Sequence, residues 1–341
     1  MSGMQFGLAV RGEYEADQDI RQCFEDLVEQ AKFADALGFD SITKTSHYST
    51  HPLRAFQQLP ILARLAGEAP NLRLNAGIVL VSLHKPLDLA EQLATIDVMS
   101  GGRLIFGAAL GYREVEFKAF GTTPKERGKR FEENLIAIRR LWTEDEVHMK
   151  GSHFTLDGAS CALKPLQKPT PPIWIGANAD VAIRRAARLG DCWYVNPHNR
   201  LDVIARQVEV YRRALDAENK PFPDEFPMRR EVFVARTREE AIRLCRPYLE
   251  IKYGFYRDWG QDKEMPEDDG FATAFDELAG DRFLIGSPDE VADQMIHLGQ
   301  TLGINHLIMS LQWPGMPQRL ALDTMQLLAE EVFPKVRQGL A

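Results

Sequence analysis

The sequence predicts an α/β fold of the (β/α)8 or TIM barrel type. Short apolar runs of strand length alternate with longer segments whose apolar residues recur at helical spacing, which is typical of a parallel sheet with helical connections. Eight such strands can be recognised along the chain. An open doubly wound sheet would carry a glycine-rich turn after its first strand, but residues 11–13 read Arg-Gly-Glu. We therefore predict one barrel domain over residues 1–341, a usual length for this fold.

The first half of the chain supplies four of these strands. One helical face spans residues 20–34, and Gly38 stands where the C-terminal cap of that helix belongs. A second helix is predicted over residues 57–67. A third begins at Pro86 and stops at the glycine pair 101–102. The predicted strands of this half are residues 4–10, 40–45, 72–81 and 103–109.

The second half completes the barrel and adds an insertion. A helix carries Phe131 and Trp142, and a small hairpin is predicted through Val147 and Phe154. About seventy residues separate the last two strands, more than one helix requires. Residues 245–282 are therefore interpreted either as a lid over the barrel mouth or as a structural excursion that packs on the barrel or on a second subunit. The predicted strands of this half are residues 173–176, 192–195, 231–235 and 306–311.

The composition excludes several classes of function. The net charge of −8, without a basic cluster interleaved with aromatic residues, argues against nucleic-acid binding. Residues 1–10 do not resemble a signal peptide, and no apolar run reaches the roughly 18 residues that a membrane helix needs. The four cysteines are scattered, without the spacing of a disulfide framework or a zinc site. We expect a cytoplasmic protein that binds neither nucleic acid nor a membrane.

Polar side chains follow the predicted strands, at the end of a barrel where active sites lie. This mouth is rich in histidine and poor in carboxylates, whereas a metal-dependent hydrolase barrel supplies several histidines and an aspartate as ligands. His47 and His51 have helical spacing, but Pro52 follows and argues against a helix there. We therefore predict no metal site.

Residues 75–121 carry the most specific set of motifs in the chain. A strand leads to a histidine and a proline, a helix runs to an Asp-x-x-Ser-x-Gly-Arg turn, and a glycine-containing segment with Glu-Phe and Phe-Gly pairs follows. Further motifs of the set occur at residues 171–176, 185–191 and 286–290. The set resembles the bacterial-luciferase-like flavin-dependent oxidoreductases over most of the chain. The matching residues of the first block are His84, Pro86, Asp97, Ser100, Gly102, Arg103, Gly111, Glu116, Phe117, Phe120 and Gly121.

The resemblance implies a flavin pocket in the barrel mouth. In this family the flavin ring lies against a bulge in the third strand, often with a non-prolyl cis peptide, and the matching bond is Ala76–Gly77. Small residues there let the backbone approach a flat ring, although they can equally ease packing inside the strand. Gly111 and Tyr112 match the position of the ring edge, where Tyr112 is alternatively a simple rim aromatic.

The resemblance also implies a phosphate site and a catalytic histidine. Backbone amides of Gly176, Ala177 and Asn178 match the family's phosphate site, and a helix N-terminus suits an anion; Asn178 can also cap that helix. His47 matches a family histidine that has an acidic neighbour in sequence, but Ser46 precedes it here. His47 is therefore predicted to act as an acid/base or to orient the substrate. The turn of Asp97 to Arg103 is interpreted as structural.

The function that the resemblance implies is monooxygenation by reduced FMN and oxygen, with a small organic substrate. A separate flavin reductase is expected because no dinucleotide-binding motif is present, and a homodimer is expected because it is common in the family. The alternative on the same fold is a deazaflavin-dependent dehydrogenase, which transfers hydride. A non-catalytic flavin-binding protein and a metal-dependent barrel hydrolase are the alternatives from other classes.

Overall fold

Thirteen strands occur in the computed structural model, which describes residues 3–266, 270–271 and 274–341. They are β1 (Gln5–Ala9), β2 (Glu13–Tyr14), β3 (Ser41–Lys44), β4 (Arg54–Ala55), β5 (Arg73–Leu80), β6 (Leu104–Ala109), β7 (Val147–Lys150), β8 (Thr155–Ala159), β9 (Ile173–Ala177), β10 (Cys192–Val195), β11 (Pro227–Val234), β12 (Phe283–Gly286) and β13 (His306–Ser310).

Twelve α-helices accompany the strands in the described ranges. They are α1 (Ile20–Ala36), α2 (Gln58–Glu68), α3 (Pro86–Met99), α4 (Glu114–Ala119), α5 (Arg127–Thr143), α6 (Asp180–Leu189), α7 (Leu201–Ala217), α8 (Arg238–Asp258), α9 (Phe275–Ala279), α10 (Pro288–Leu302), α11 (Gln318–Leu327) and α12 (Phe333–Gly339). Within this part of the chain, none of the helices combines the length and the apolar character that crossing a lipid bilayer demands.

Eight parallel strands close into a barrel, as the sequence predicts. Their order is β1, β3, β5, β6, β9, β10, β11 and β13, and β13 pairs again with β1. The strand bounds agree with the predicted ones to within a residue or two for seven of the eight strands. The predicted hairpin is also present, as the antiparallel pair β7–β8.

The seventh barrel strand and the strand beside it differ from the prediction. β11 begins at Pro227 rather than at residue 231. Its first half pairs with β13, and its second half pairs with β12, which the sequence prediction placed outside the strands. The early start was missed because Arg229 and Arg230 interrupt the apolar pattern, although Arg230 is fully buried and Arg229 is partly buried.

Helix ends follow the predicted chemistry of turns. Gly38 has a φ of 75° directly after the C-cap of α1, where a residue with a Cβ would be disfavoured. Pro86 occupies the first turn of α3. α10 begins with a reciprocal capping box between Ser287 and Glu290. These local signals fix where helices start and stop, and thereby which loops reach the barrel mouth.

Two layers of apolar side chains stabilise the barrel. The larger cluster lies between the outward-facing strand residues and the helices, as expected for alternating strand side chains. A smaller cluster fills the barrel interior. It comprises Ala9, Ile105, Trp174, Cys192, Tyr194 and Ile308, with Ile78 packed against it. The interior is therefore packed at this level, and the cavity opens towards the C-terminal ends of the strands.

A polar cluster joins three strands at the opposite, N-terminal end of the barrel. His306 is fully buried; its Nδ1 lies 2.8 Å from Glu225 Oε1 and its Nε2 lies 2.8 Å from Ser41 Oγ. Arg73 donates to both oxygens of Glu225. Burial opposes the charge on Glu225, but hydrogen bonds from His306 and Arg73 outweigh it and lower the pKa of that carboxyl to about 2. The cluster is structural, because it lies away from the mouth.

The pKa of Glu225 predicts acid destabilisation. A carboxyl with a lowered folded-state pKa stabilises the fold above its ordinary pKa, and this contribution is lost as the pH falls towards about 2. We expect Glu225→Gln to lower the free energy of unfolding at pH 7 by about 1–3 kcal/mol and to remove that part of the pH dependence. Denaturant titrations between pH 7 and pH 3 measure the free energy of unfolding and its pH dependence. Exposed Glu209→Gln is the control, and parallel pH curves for all three proteins would contradict this account.

Candidate active site

A cavity of about 480 Å³ opens at the C-terminal ends of the barrel strands. Its size is in the usual range for a small-molecule or cofactor site. Ala76 is the predicted site residue that does not line it: this side chain is fully buried in the larger apolar cluster. The predicted residues that do line it are His47, Gly77, Gly111, Tyr112, Gly176, Ala177 and Asn178.

The predicted bulge in the third barrel strand is present in β5. Its register with β6 is regular up to Ala76 opposite Phe106 and resumes at Val79 opposite Ala108. The non-prolyl cis peptide is Gly77–Ile78. The prediction of Ala76–Gly77 was therefore wrong by one bond. The reason is that Ala76 still occupies a regular ladder position, so the irregular backbone begins only after it.

Glycine in β6 allows the bulge to form. A Cβ on Gly107 would lie 2.6 Å from the carbonyl oxygen of Ala76 and 2.9 Å from the Cα of Gly77. The backbones of the two strands thus meet more closely than a side chain permits. A Cβ on Gly77 would in turn meet the side chains of Asn75 and Thr43, at 2.7 and 2.9 Å. The packing interpretation of Gly77 therefore has a structural basis alongside its position in the cavity lining.

Ile78 forms the apolar wall that results from the bulge. A Cβ on Gly176 would lie 2.4 Å from the Cδ1 of Ile78. The glycine near the end of β9 therefore leaves space for the Ile78 side chain. Leu80 and Leu110 line the same cavity. Sequence reasoning assigned the wall to Ala76 and Gly77 and missed Ile78, because the one-residue shift of the bulge moves the exposed position along the strand.

His47 acquires an acidic partner from another part of the chain. Its Nδ1 lies 3.1 Å from Glu116 Oε1, and the same oxygen accepts the backbone N–H of Tyr48 at 2.8 Å. Glu116 in α4 is 1% exposed and His47 is 17% exposed. A carboxylate accepts hydrogen bonds, so this geometry places the imidazole hydrogen on Nδ1 and leaves Nε2 able to take a proton. The acid missing at Ser46 is thus supplied 69 residues after His47.

Glu116 was visible in the sequence only as a family marker. The motif places it beside Phe117, and nothing in its spacing indicates contact with the loop after β3. Arg113 reinforces that loop, because its guanidinium donates to the carbonyls of Tyr48 and Ser49 at 2.6 and 3.1 Å. Glu116 of α4 and the N-cap residue Arg113 therefore both hold the His47 loop.

The C-terminal end of α8, which lies within the insertion, reaches the same corner of the mouth. Trp259, at the C-cap of α8, has its ring centroid 5.6 Å from that of His47 and lies 4.4 Å from the Arg113 guanidinium. Tyr112 contacts His47 edge-on at 5.8 Å. α8 is anchored to the barrel below by the buried pair of Lys252 and Glu231, at 2.5 Å. Of residues 245–282, 267–269 and 272–273 lie outside the described residues.

The opposite side of the cavity is basic. Lys125, Arg127 and Arg185 line it beside Gly176 and Asn178, and none of the three was predicted as a site residue, although Arg185 belongs to the family motif of residues 185–191. The N-cap of α6 is Ala179, without a side-chain hydrogen bond, so the interpretation of Asn178 as the helix cap is wrong. The Arg185 Nε pairs with Glu132 at 2.7 Å. The three cations and the uncapped N–H groups of α6 together still suit an anionic group such as a phosphate.

The wall beneath the insertion is polar and buried. His198 is 8% exposed and contacts the hydroxyl of Tyr253 at 3.3 Å. Burial, followed by the charges of Lys252, Arg229, Arg230 and Arg282, lowers the pKa of His198 well below its ordinary value, so the ring is neutral near pH 7. Within the described ranges, no group of three or more histidine, cysteine or acidic side chains is arranged to hold a metal ion.

The cavity fits a flavin-like cofactor. A flat ring requires an apolar wall, which Ile78, Leu80 and Leu110 supply, and a terminal phosphate requires the basic side formed by Lys125 and Arg185. FMN and a deazaflavin share both features. The residues present are therefore compatible with either cofactor.

The chain is similar to known proteins over most of its length. Residues 4–306 match the family model of the luciferase-like monooxygenases. The oxygenase component of a flavin-dependent trigonelline monooxygenase from Acinetobacter baylyi is 27% identical, over 86% of this chain and 85% of the relative. An FMNH2-dependent dimethylsulfone monooxygenase from Pseudomonas putida is also 27% identical, over 84% of this chain and 79% of the relative.

Hydride-transferring enzymes are among the relatives too. An F420-dependent glucose-6-phosphate dehydrogenase from Amycolatopsis mediterranei is 25% identical, over 92% of this chain and 94% of that protein. Among solved structures, the monooxygenase RslO1 from Streptomyces bottropensis superposes with a TM-score of 0.81 at 26% identity, covering 97% of this chain and 99% of that one. The predicted barrel and the predicted family are thereby confirmed, and the chain belongs to the luciferase-like monooxygenases.

Proposed function

We propose that this protein is a monooxygenase that uses reduced FMN and oxygen to oxidise a small organic substrate. The observation that carries the proposal is the cavity itself, in which the β5 bulge with Ile78 faces a basic side containing Lys125 and Arg185. Membership of the luciferase-like family and the FMNH2-dependent relative support the choice of cofactor.

The bound cofactor would supply the chemistry of oxygen activation, and the protein would supply orientation, proton transfer and exclusion of water. Ile78, Leu80 and Leu110 would support the ring, and the basic side would hold the phosphate. His47, fixed by Glu116, would give or take a proton at Nε2. A buried acidic partner keeps the imidazole in one orientation, as a proton-transfer group requires.

The insertion is proposed to act as a lid over this chemistry. Trp259 packs against both His47 and Arg113, so the end of α8 covers the corner of the mouth where proton transfer would occur. Water in that corner would favour release of hydrogen peroxide over transfer of oxygen to the substrate. The lid interpretation is preferred to a purely structural excursion because of these two contacts.

A second flavin-class function has a specific observation in its favour. The F420-dependent dehydrogenase relative covers nearly the whole chain, and the same cavity would accommodate a deazaflavin. A non-catalytic flavin-binding protein is disfavoured, since the His47–Glu116 pair has a buried carboxylate that flavin binding alone does not require.

Reduced FMN would come from a separate reductase, in keeping with a relative named as an oxygenase component. A homodimer belongs to the proposal as well, and light scattering tests it.

Cofactor titration separates the two flavin functions. The purified protein is titrated anaerobically with FMN, riboflavin and a deazaflavin, each oxidised and reduced, while tryptophan fluorescence is recorded. We expect reduced FMN to bind most tightly, and riboflavin to bind more weakly because it lacks the phosphate that the basic side would hold. Tight binding of the deazaflavin alone would replace monooxygenation by hydride transfer. Binding of none of them would reject both.

The His47–Glu116 pair is tested by replacing each residue with glutamine. We expect His47→Gln to lower kcat by about 10²- to 10⁴-fold, the usual loss of a general acid or base, and to leave the affinity for reduced FMN unchanged. Glu116→Gln should lower kcat less and alter its pH profile, because the imidazole loses its charged partner. The exposed His148→Gln is the matched control. Full activity in His47→Gln would remove that residue from the mechanism.

The lid is tested by removing its aromatic contact. We expect Trp259→Ala to raise the yield of hydrogen peroxide per reduced flavin consumed, because water reaches the mouth more easily. Ile251→Ala, an exposed position on the same helix, controls for disturbance of α8. Equal peroxide yields in the wild type and in both variants would favour a structural role for the insertion.

A further inference from the structure

Two hydrogen-bond donors on one wall of the cavity lack acceptors. Arg229 lies in β11 and Asn196 follows β10, and both line the cavity. Within the described part of the chain, Arg229 Nε and Asn196 Nδ2 are buried and have no hydrogen-bond partner. Buried donors are satisfied in the great majority of cases, so two of them side by side in a cavity indicate a ligand group that accepts.

Arg229 is a cation that forms no direct ion pair with the described residues. Its one side-chain bond among the described residues is a long one, from Nη2 to Ser310 Oγ at 3.4 Å. None of the described carboxylates lies within 4.0 Å of its nitrogens. The nearby Glu231 is engaged by Lys252 and by Trp313, at 2.5 and 2.6 Å. Burial opposes the charge of Arg229, but Tyr256, Glu231, Tyr194 and Glu13 outweigh it and raise the pKa of the guanidinium, so Arg229 is a stable cation that a carboxylate ligand could contact directly.

The orientation of Asn196 is set by its own loop. Its Oδ1 accepts the backbone N–H groups of His198 and Asn199, at 2.8 and 3.3 Å. The carbonyl oxygen of the amide is thus identified, and Nδ2 must be the free donor. Arg230 holds the same loop through the carbonyls of Pro197 and Asn199. The Asn196 donor is therefore presented by a rigid segment.

The electrostatic environment of this wall favours a negative group. Lys252, Arg229, Arg230 and Arg282 all act to lower the pKa of the neighbouring His198, after burial itself. Tyr256 lines the cavity beside them, and burial raises the pKa of its hydroxyl well above the ordinary value, so it remains neutral. Glu13 is the carboxylate that lines the same cavity, and it forms no ion pair with Arg229 in this structure.

We propose that the substrate carries a carboxylate group, which binds to Arg229 with Asn196 as a second donor. A carboxylate presents two oxygens in a plane, and one guanidinium can donate to both. This wall belongs to β10 and β11, whereas the basic side assigned to the cofactor phosphate belongs to α5 and α6. Arg229 is then a specificity-determining residue. The inference rests on the proposed function, because it names the substrate class of that site.

Matched acids and amides test the inference without any variant. The protein is titrated, with and without saturating FMN, with benzoate and benzamide and with cyclohexanecarboxylate and its carboxamide, using calorimetry. We expect each acid to bind at least about tenfold more tightly than its amide, since a charge-assisted hydrogen bond is lost in the amide. Equal binding of acids and amides, or binding of neither, would overturn the inference. Failure of FMN to bind would instead count against the proposed function.

Variants of Arg229 identify the group responsible. We expect Arg229→Met to weaken acid binding by about 10- to 100-fold and to leave amide binding unchanged, with partial retention in Arg229→Lys. Arg213→Met removes the same charge from the exposed face of α7 and should change neither. A selective loss of FMN affinity in Arg229→Met would assign the residue to the cofactor and overturn the inference. If Arg229→Met does not fold, the inference is still tested by Arg229→Lys and by the ratio of acid to amide affinity in the wild-type protein.

Discussion

The close approach of β5 to β6 at Gly107 is the constraint on which the candidate active site depends. The absence of a Cβ there lets the bulge after Ala76 form, and the bulge brings Ile78 into the cavity. Gly176, one strand further round the barrel, leaves space for that side chain. The packed interior beneath gives the bulge a firm base. An apolar wall of fixed shape is thus built into the barrel by small residues at two neighbouring strand positions.

Charge is distributed around this wall in separate regions with different partners. The basic side beside α5 and α6 suits a phosphate, and the His47–Glu116 pair lies beside Trp259 at the end of α8. Arg229 belongs to the wall of β10 and β11. Each region is supported by hydrogen bonds that a neighbouring element supplies, so the barrel acts as a rigid frame and the loops determine the chemistry.

The fold could be predicted from sequence to a large extent because its signals are local. Apolar strands, the glycine after α1 and the proline of α3 each act within a few residues. The site was predicted less completely because its contacts are long-range. Glu116 reaches His47 across 69 residues, and the charged pair Arg229 and Arg230 hid the start of β11. The shift of the cis bond to Gly77–Ile78 depends on strand register, which the sequence of one strand does not reveal.

A crystal structure of the protein with bound FMN would test the central claim most directly. The account predicts that the flavin ring lies against Ile78 and the β5 bulge, with its phosphate among Lys125, Arg185 and the N-terminus of α6. His47 should then face the reactive part of the ring. A flavin bound elsewhere, or with its phosphate at Arg229 and its ring away from the bulge, would contradict both the site and the function proposed for it.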